Sequence, residues 1–252
     1  MGLLTDLEKE QLTFDWRYRG VTILNLLTEE ECDRYANELE RIRVIRQEND
    51  INNEWGEYDP FQYPHKESDI LSEMMTHPKL VEASEFLLNG KIFALQTWTY
   101  FKPPGQLGRD MHQNIFYTEC KSNEVLNVSI ALDNHDPGNG SVWYLEGSHN
   151  LGRLPIEVDE TRTKTNPKNW RNERGKPCIL PEDHTFSKID GYLRRGQVAL
   201  IHSNVIHGSE ENKSNRFRKA FLIGYLKDGS NYASGGHMKR KPIDVGSAKL
   251  PI

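Results

Sequence analysis

The feature that most constrains the fold is a change of rhythm at Lys91. After it come five short apolar runs, Ile92–Phe101, Val125–Leu132, Val142–Leu145, Val198–His202 and Ala220–Leu226, separated by Gly, Pro, Asn and Asp. Runs of that length between such breakers read as strands. The first ninety residues read as mostly helical. Leu7–Tyr18 predicts a short helix, followed by a strand-like Gly20–Leu24. Thr28 and Glu31 stand at the spacing of a capping box, in which each side chain satisfies the other's free backbone donor. Beyond them Cys32, Tyr35, Ala36, Leu39 and Ile42 recur at helical spacing, so one face is buried. Pro78–Leu88 predicts another helix, opened by its proline and ended by Asn89–Gly90. Helices followed by many strands indicate an α+β chain, mainly β, with a sandwich or barrel core.

At 252 residues a single domain over 1–252 is expected. It divides into a mostly helical part (1–90), a β core (91–228) with a polar insert (153–189), and a tail (229–252). No apolar run approaches the roughly 18 residues of a membrane span, and MGLLTDLEKEQ lacks the pattern of a signal peptide. Three scattered cysteines, Cys32, Cys120 and Cys178, make neither a disulfide framework nor a cysteine-only zinc site, so a reducing cytoplasm is the expected location. The net charge of -5 and the lack of a basic helix argue against nucleic acid as a partner. Charge is uneven: residues 1–90 carry twenty acidic and nine basic side chains, whereas the remainder is net basic. An anionic ligand therefore belongs to the second part. Nothing in the sequence sets an oligomeric state.

Chemistry concentrates in Asp110-Met111-His112-Gln113-Asn114. On a strand, alternate residues share a face, so 110, 112 and 114 are expected to point one way. His207 follows an apolar run near the other end. Two histidines and an oxygen donor on one face of a metal is the arrangement of non-haem Fe(II) oxygenases. Spacing alone is weak among nine histidines, since most histidines are structural.

The surrounding stretches FKPPG…HQNIFYTE…NVSIALDNHDPGNGSVWYLEGSH and GQVALIHSNVIHGSEENKSNRFRKAFLIGY, with the opening GVTILNLLTEEECDRYANELERI, resemble the phytanoyl-CoA dioxygenase-like family. These are Fe(II)/2-oxoglutarate oxygenases. The resemblance spans most of the chain and lapses in the insert and after about residue 228. It implies a double-stranded β-helix (jelly-roll, cupin-like) core with flanking N-terminal helices. It also implies Fe(II), 2-oxoglutarate and O₂ as cofactor and co-substrates. His112 and His207 become iron ligands, and Arg218 the partner of the distal carboxylate of 2-oxoglutarate. A guanidinium suits that role, because its planar fork pairs with a carboxylate in two parallel bonds. Arg216 is the fallback, and Ser209 and Ser214 are candidate hydroxyl donors. Gln96 and Lys102, on the preceding strand, are further candidates for co-substrate contacts. Trp143 and Phe116 are candidates for contact with substrate, although the ordinary reading of such aromatics is core. His149 reads as structural, closing a turn, and Asn139-Gly140 as a hairpin turn.

One position departs from the family pattern: Asn114 stands where aspartate is usual. A neutral carboxamide replaces an anionic donor, so affinity for Fe(II) falls, and the extra N–H cannot ligate. Four accounts fit: a natural, weaker iron site ligated through the carbonyl oxygen; an inactivating substitution in a normal oxygenase; a non-catalytic relative that binds a small acid; and a halogenase. The last is disfavoured because Asn fills the space a halide needs. Asp110 offers a carboxylate on the same expected strand face. The reaction implied couples decarboxylation of 2-oxoglutarate to oxidation of a C–H bond, by hydroxylation, desaturation or ring closure. Thr161–Lys176 holds six basic residues, one acidic residue and Trp170, and the tail adds His237, Lys239, Arg240 and Lys241. The ordinary reading is solvated loop. The functional reading is a basic surround for a small, acid-bearing substrate.

Overall fold

The computed structural model describes residues 2–48, 62–157, 177–234 and 239–246. Helix α1 (Asp6–Tyr18) starts one residue before the expected helix, because Thr5 and Glu8 form a capping box there. Strand β1 (Val21–Asn25) follows, then α2 (Glu29–Glu48). At its start the amide of Thr28 donates to Glu31 (2.8 Å) and that of Glu31 to Thr28 Oγ1 (3.2 Å), as the spacing predicts. Helix α3 (Asp69–Met75) was not foreseen, whereas α4 (Pro78–Leu88) has the expected bounds and ends on Asn89 at φ +50°.

The remaining strands are β2 (Ile92–Lys102), β3 (Arg109–His112), β4 (Val125–Ala131), β5 (Val142–Leu145), β6 (Lys188–Asp190), β7 (Gln197–His202), β8 (His207–Ser209), β9 (Arg218–Lys227) and β10 (Ile243–Asp244); a single turn, α5 (Ile115–Thr118), follows β3. They make two sheets, ordered β1-β7-β4-β9-β2-β10 and β3-β8-β5-β6, with antiparallel neighbours throughout. This is the double-stranded β-helix, mainly β with a helical layer. Two corrections apply to the divisions expected from sequence. The segment 153–189 returns to the smaller sheet, because β6 begins within it and pairs with β5. The tail returns to the larger sheet, where β10 pairs with Phe93 and Ala94.

The centre of the larger sheet is buried on both faces, and every residue of β4 is buried. Alternation sends Leu126, Val128 and Ile130 outward to Leu39, Leu71, Met74 and Leu80 of the helices. Asn127, Ser129 and Ala131 therefore face the interior between the sheets. Phe221, Ile223 and Tyr225 of β9 join the helical side, which leaves Arg218, Leu222 and Gly224 inside. The fully buried Tyr225 donates its hydroxyl to the carbonyl of Met75 at 2.6 Å. Tyr225→Phe strands that carbonyl and is expected to cost about 1–2 kcal/mol, read as a lower urea midpoint at unchanged slope.

Candidate active site

His112 and His207 face each other across the β3–β8 pair, with ring centroids 4.3 Å apart. Each Nδ1 is committed to a backbone carbonyl two residues earlier: His112 to Asp110 (2.8 Å) and His207 to Val205 (2.9 Å). A ring that donates through Nδ1 carries its lone pair on Nε2, which is how a metal-binding histidine is oriented. Burial depresses both basicities. His207 is lowered to about 4; His112 falls well below its ordinary value through burial, with the neighbouring His207 and Arg109 adding to it. Both rings are thus neutral at physiological pH, the form that ligates.

The register shifts between Arg109 and His112, a β-bulge. Arg109 pairs with Ser209 and His112 with His207, so both point inward despite their odd separation. The chain then leaves the strand. Asn114 caps α5 with helical angles and is half-buried. The expectation that 110, 112 and 114 share one strand face is therefore corrected: β3 ends at His112, and the bulge interrupts its alternation. Among the described residues no three His, Cys, Asp or Glu side chains converge as a metal set, so Asp110 does not supply the missing carboxylate.

Beside the histidines lies a buried pair of cations. Arg218 and Lys102 are register partners on β9 and β2, 6% and 4% exposed. Arg218 donates Nη1 to the carbonyl of Gly140 at 2.6 Å, while its buried Nε has no partner. Lys102 reaches Ser209 Oγ at 3.4 Å and the carbonyl of Glu210. Burial, then repulsion from Arg218, holds the Lys102 amine down to about 7. Two adjoining cations with carbonyl and hydroxyl partners, and no paired carboxylate among the described residues, form a cradle for an anion. The Asn139-Gly140 turn shapes it. Gly140 has φ +70°, and a Cβ there would lie 2.8 Å from Lys102 Nζ.

The other candidates separate. Arg216 is paired with Asp136 at the surface and donates to Asn134, and Ser214 is bonded to Asn212 and the carbonyl of Arg216; neither faces the cradle. Ser209 does, accepting from Lys102 and from the Arg109 amide. Gln96 shares the inner face of β2 but stands six residues from Lys102, about 20 Å along a strand, and its Oε1 accepts from Arg240 at 2.6 Å. Trp143 is corrected as a substrate contact. It pairs with Gly208 while Tyr144 pairs with His207, so Tyr144 faces the site and Trp143 packs outside with Leu145, Cys178 and Ile206. A Cβ on Gly208 would fall 2.6 Å from that indole, so only glycine fits beside His207. Phe116 lies on α5 under the Arg153 guanidinium (4.6 Å), while Tyr117 meets His112 edge-on at 6.1 Å. His149 is buried against His202 at 5.0 Å, in keeping with a structural part.

Sequence reasoning missed Arg109, Tyr100 and Tyr144. Arg109 is held by the hydroxyls of Tyr100 (3.0 Å) and Tyr117 (3.1 Å). Alternation back from Lys102 was the available signal for Tyr100; the bulge hid Arg109. The segment Thr161–Lys176, with Trp170, and His237 lie outside the described residues.

A histidine pair oriented for a metal beside a buried anion cradle, inside a double-stranded β-helix, defines the site of a 2-oxoglutarate-dependent oxygenase fold. The sequence matches the phytanoyl-CoA dioxygenase family over residues 19–220, and the chain belongs to that family, which uses iron, 2-oxoglutarate and O₂. Among relatives, the peroxisomal phytanoyl-CoA dioxygenase of Bos taurus is 24% identical, with 95% of this chain and 76% of the relative aligned. A probable alpha-ketoglutarate-dependent hypophosphite dioxygenase of Stutzerimonas stutzeri is 26% identical over 64% of this chain and 54% of its own length. In three dimensions the chain resembles the apo non-heme monooxygenase ThoJ (TM-score 0.74, 21% identity, 92% of this chain and 83% of that one). It also resembles the alpha ketoglutarate dependent epimerase SnoN from nogalamycin biosynthesis (TM-score 0.69, 16% identity, 90% and 86%). Among the described residues no helix is long and apolar enough to cross a membrane.

Proposed function

We propose that this chain is an Fe(II)/2-oxoglutarate-dependent oxygenase, one domain in the cytoplasm, that oxidises a C–H bond of a small acid-bearing molecule by hydroxylation, desaturation or ring closure. The observation that carries this reading is the adjacency of the histidine pair to the cradle. His112, His207 and the Oδ1 of Asn114 would hold the iron. Bound iron, 2-oxoglutarate and O₂ supply the oxidising chemistry. The protein's own part is binding and placement. Arg218, Lys102 and Ser209 take the distal carboxylate, fixing one end of the co-substrate so that its other end lies at the histidines. Arg109, gripped by Tyr100 and Tyr117, keeps a positive charge beside the metal position. Tyr144, buried with its ring 6.2 Å from that of His207, limits water there, and Phe116 remains the candidate contact for substrate. The three buried, unpaired thiols support a reducing compartment. The functional test is succinate formation from 2-oxoglutarate by the iron-loaded chain under air, with a panel of small carboxylic acids. Stimulation by one of them supports the reading, and no succinate under any condition removes it.

Among the described residues no third charged ligand joins the two histidines, which favours one other reading, a non-catalytic small-acid-binding protein on the same fold. It shares the cradle and differs only in holding no iron.

Lys102 makes the cradle sensitive to pH. In the free protein its amine is half neutral near pH 7, and a bound dianion favours the ammonium form. Binding above pH 7 must therefore take up a proton. The affinity for 2-oxoglutarate is expected to be flat below pH 7. Above it, affinity falls by up to about tenfold per pH unit until the amine's value in the complex is passed. Calorimetry in buffers of different ionisation enthalpy checks the proton uptake, and Lys102→Met should abolish the slope.

A further inference from the structure

Beside the histidine pair stands another inward-facing cation, Arg109, turned into the barrel by the bulge in β3. Its Nη1 donates to Tyr100 Oη at 3.0 Å and its Nη2 to Tyr117 Oη at 3.1 Å. Both hydroxyls are neutral, so they orient the fork without cancelling its charge. Each phenol oxygen accepts from the guanidinium and keeps its own proton to donate. A planar fork flanked by two hydroxyl donors matches a carboxylate. The cradle is a separate place. Arg218 and Lys102 are directed to Gly140, Ser209 and Glu210, whereas the Arg109 side chain runs to the two tyrosines.

The space beside Arg109 is open. On β2, Thr97, Thr99 and Phe101 face away from the interior and are buried, whereas Trp98 and Tyr100 face inward and are half-buried. Leu222, the register partner of Trp98, is half-buried between buried Phe221 and Ile223. Arg109 and Tyr117 are half-buried as well. Side chains that point into a barrel and still touch solvent line a cavity. This one is mostly aromatic and apolar with a charged fork at one side, the usual make-up of a small-molecule site. It also adjoins the histidines. The Tyr117 ring lies 5.6 Å from the guanidinium and meets His112 edge-on at 6.1 Å. Arg109 and His112 are the two ends of one short strand. An acid held at Arg109 therefore carries its nearest carbons beside the histidine pair.

We infer that Arg109, with the hydroxyls of Tyr100 and Tyr117, takes the carboxylate of the substrate, and that Trp98 and Leu222 hold a flat, apolar body. The inference deepens the oxygenase reading and rests on it for calling the occupant a substrate. It narrows a small acid to a monocarboxylate with an aromatic or apolar body. The distal carboxylate of 2-oxoglutarate goes to Arg218 and Lys102, and the monocarboxylate goes to Arg109.

The test titrates the full chain, with 2-oxoglutarate present to fill the cradle, by saturation-transfer NMR with phenylacetate and its neutral analogue phenylacetamide. Phenylacetate is expected to bind at least about tenfold more tightly than phenylacetamide. Arg109→Gln should weaken phenylacetate at least about tenfold and leave phenylacetamide and 2-oxoglutarate within about threefold. Trp98→Ala should weaken acid and amide alike, because it removes the wall and not the charge. Tyr117→Phe keeps the charge and removes one hydroxyl donor. It should weaken phenylacetate about threefold, and it is the deciding variant if Arg109→Gln does not fold. The inference is overturned if phenylacetate fails to bind, binds no better than phenylacetamide, or is unaffected by Arg109→Gln. It is also overturned if folded Arg109→Gln loses 2-oxoglutarate as strongly as phenylacetate, which would make Arg109 part of the co-substrate site. If the unaltered chain does not bind 2-oxoglutarate, it is the oxygenase reading that fails, and the response of phenylacetate to Arg109→Gln still decides the anion site.

Discussion

Arg218→Gln is expected to weaken 2-oxoglutarate binding by about 3 kcal/mol, on the order of 10²-fold, because it removes the charged partner of a desolvated carboxylate. The guanidinium is buried, touches one carbonyl and has an unpartnered Nε, so its fork is oriented before any ligand arrives. Its burial opposes its charge. Removing it should therefore leave the thermal midpoint of the ligand-free protein unchanged or raise it. A purely structural arginine would behave in the opposite way, with a lower midpoint and little change in binding. Isothermal titration of both proteins with 2-oxoglutarate, beside their melting curves, separates the two. Arg216→Gln is the control: that side chain is already paired with Asp136, and its loss should leave the binding constant within about twofold.

Asn114→Asp is the second large effect. It restores an anionic oxygen beside two neutral imidazoles, changing the ligand set from neutral to a net charge of -1. A divalent ion in a low-dielectric site responds strongly to that change. Fe(II) affinity is expected to rise at least about tenfold, or ~1.4 kcal/mol, measured by competition with a chromophoric chelator without oxygen. The apo variant should lose a little stability, since the new carboxylate enters a partly buried site with no metal to pair with. An unchanged affinity would mean that residue 114 does not reach the metal.

Much of the fold was legible because its signals are local. The Thr28–Glu31 box, the proline opening α4 and the five apolar runs are each decided within a few residues. The strands β6 and β10 were not legible. They are short and polar, and they exist because β5 and β2 offer edges to pair with, which no local window contains. Within the candidate site, His112, His207, Lys102 and Arg218 could be named from sequence, and the fold brings them together. Trp143 could not be placed, because its orientation depends on which strand pairs with which: Gly208 opposite it sends the indole outward, and Tyr144 takes the inward place. The position of Asn114 was misread for a related reason. Two-residue alternation predicts a shared face only while the strand continues, and β3 stops at His112. Arg109 was concealed by the bulge.

The central claim is that His112, Asn114 and His207 hold an iron chelated by a 2-oxoglutarate whose far end lies on Arg218. It is tested most directly by anaerobic absorbance titration of the metal-free chain with Fe(II) and 2-oxoglutarate, beside Asn114→Asp. A weak visible charge-transfer band is expected in the chain as it stands, saturating at lower Fe(II) in Asn114→Asp and missing from His207→Ala. A chain that shows no band even at Fe(II) concentrations far above those that saturate Asn114→Asp would contradict the claim and leave an acid-binding protein on an oxygenase fold.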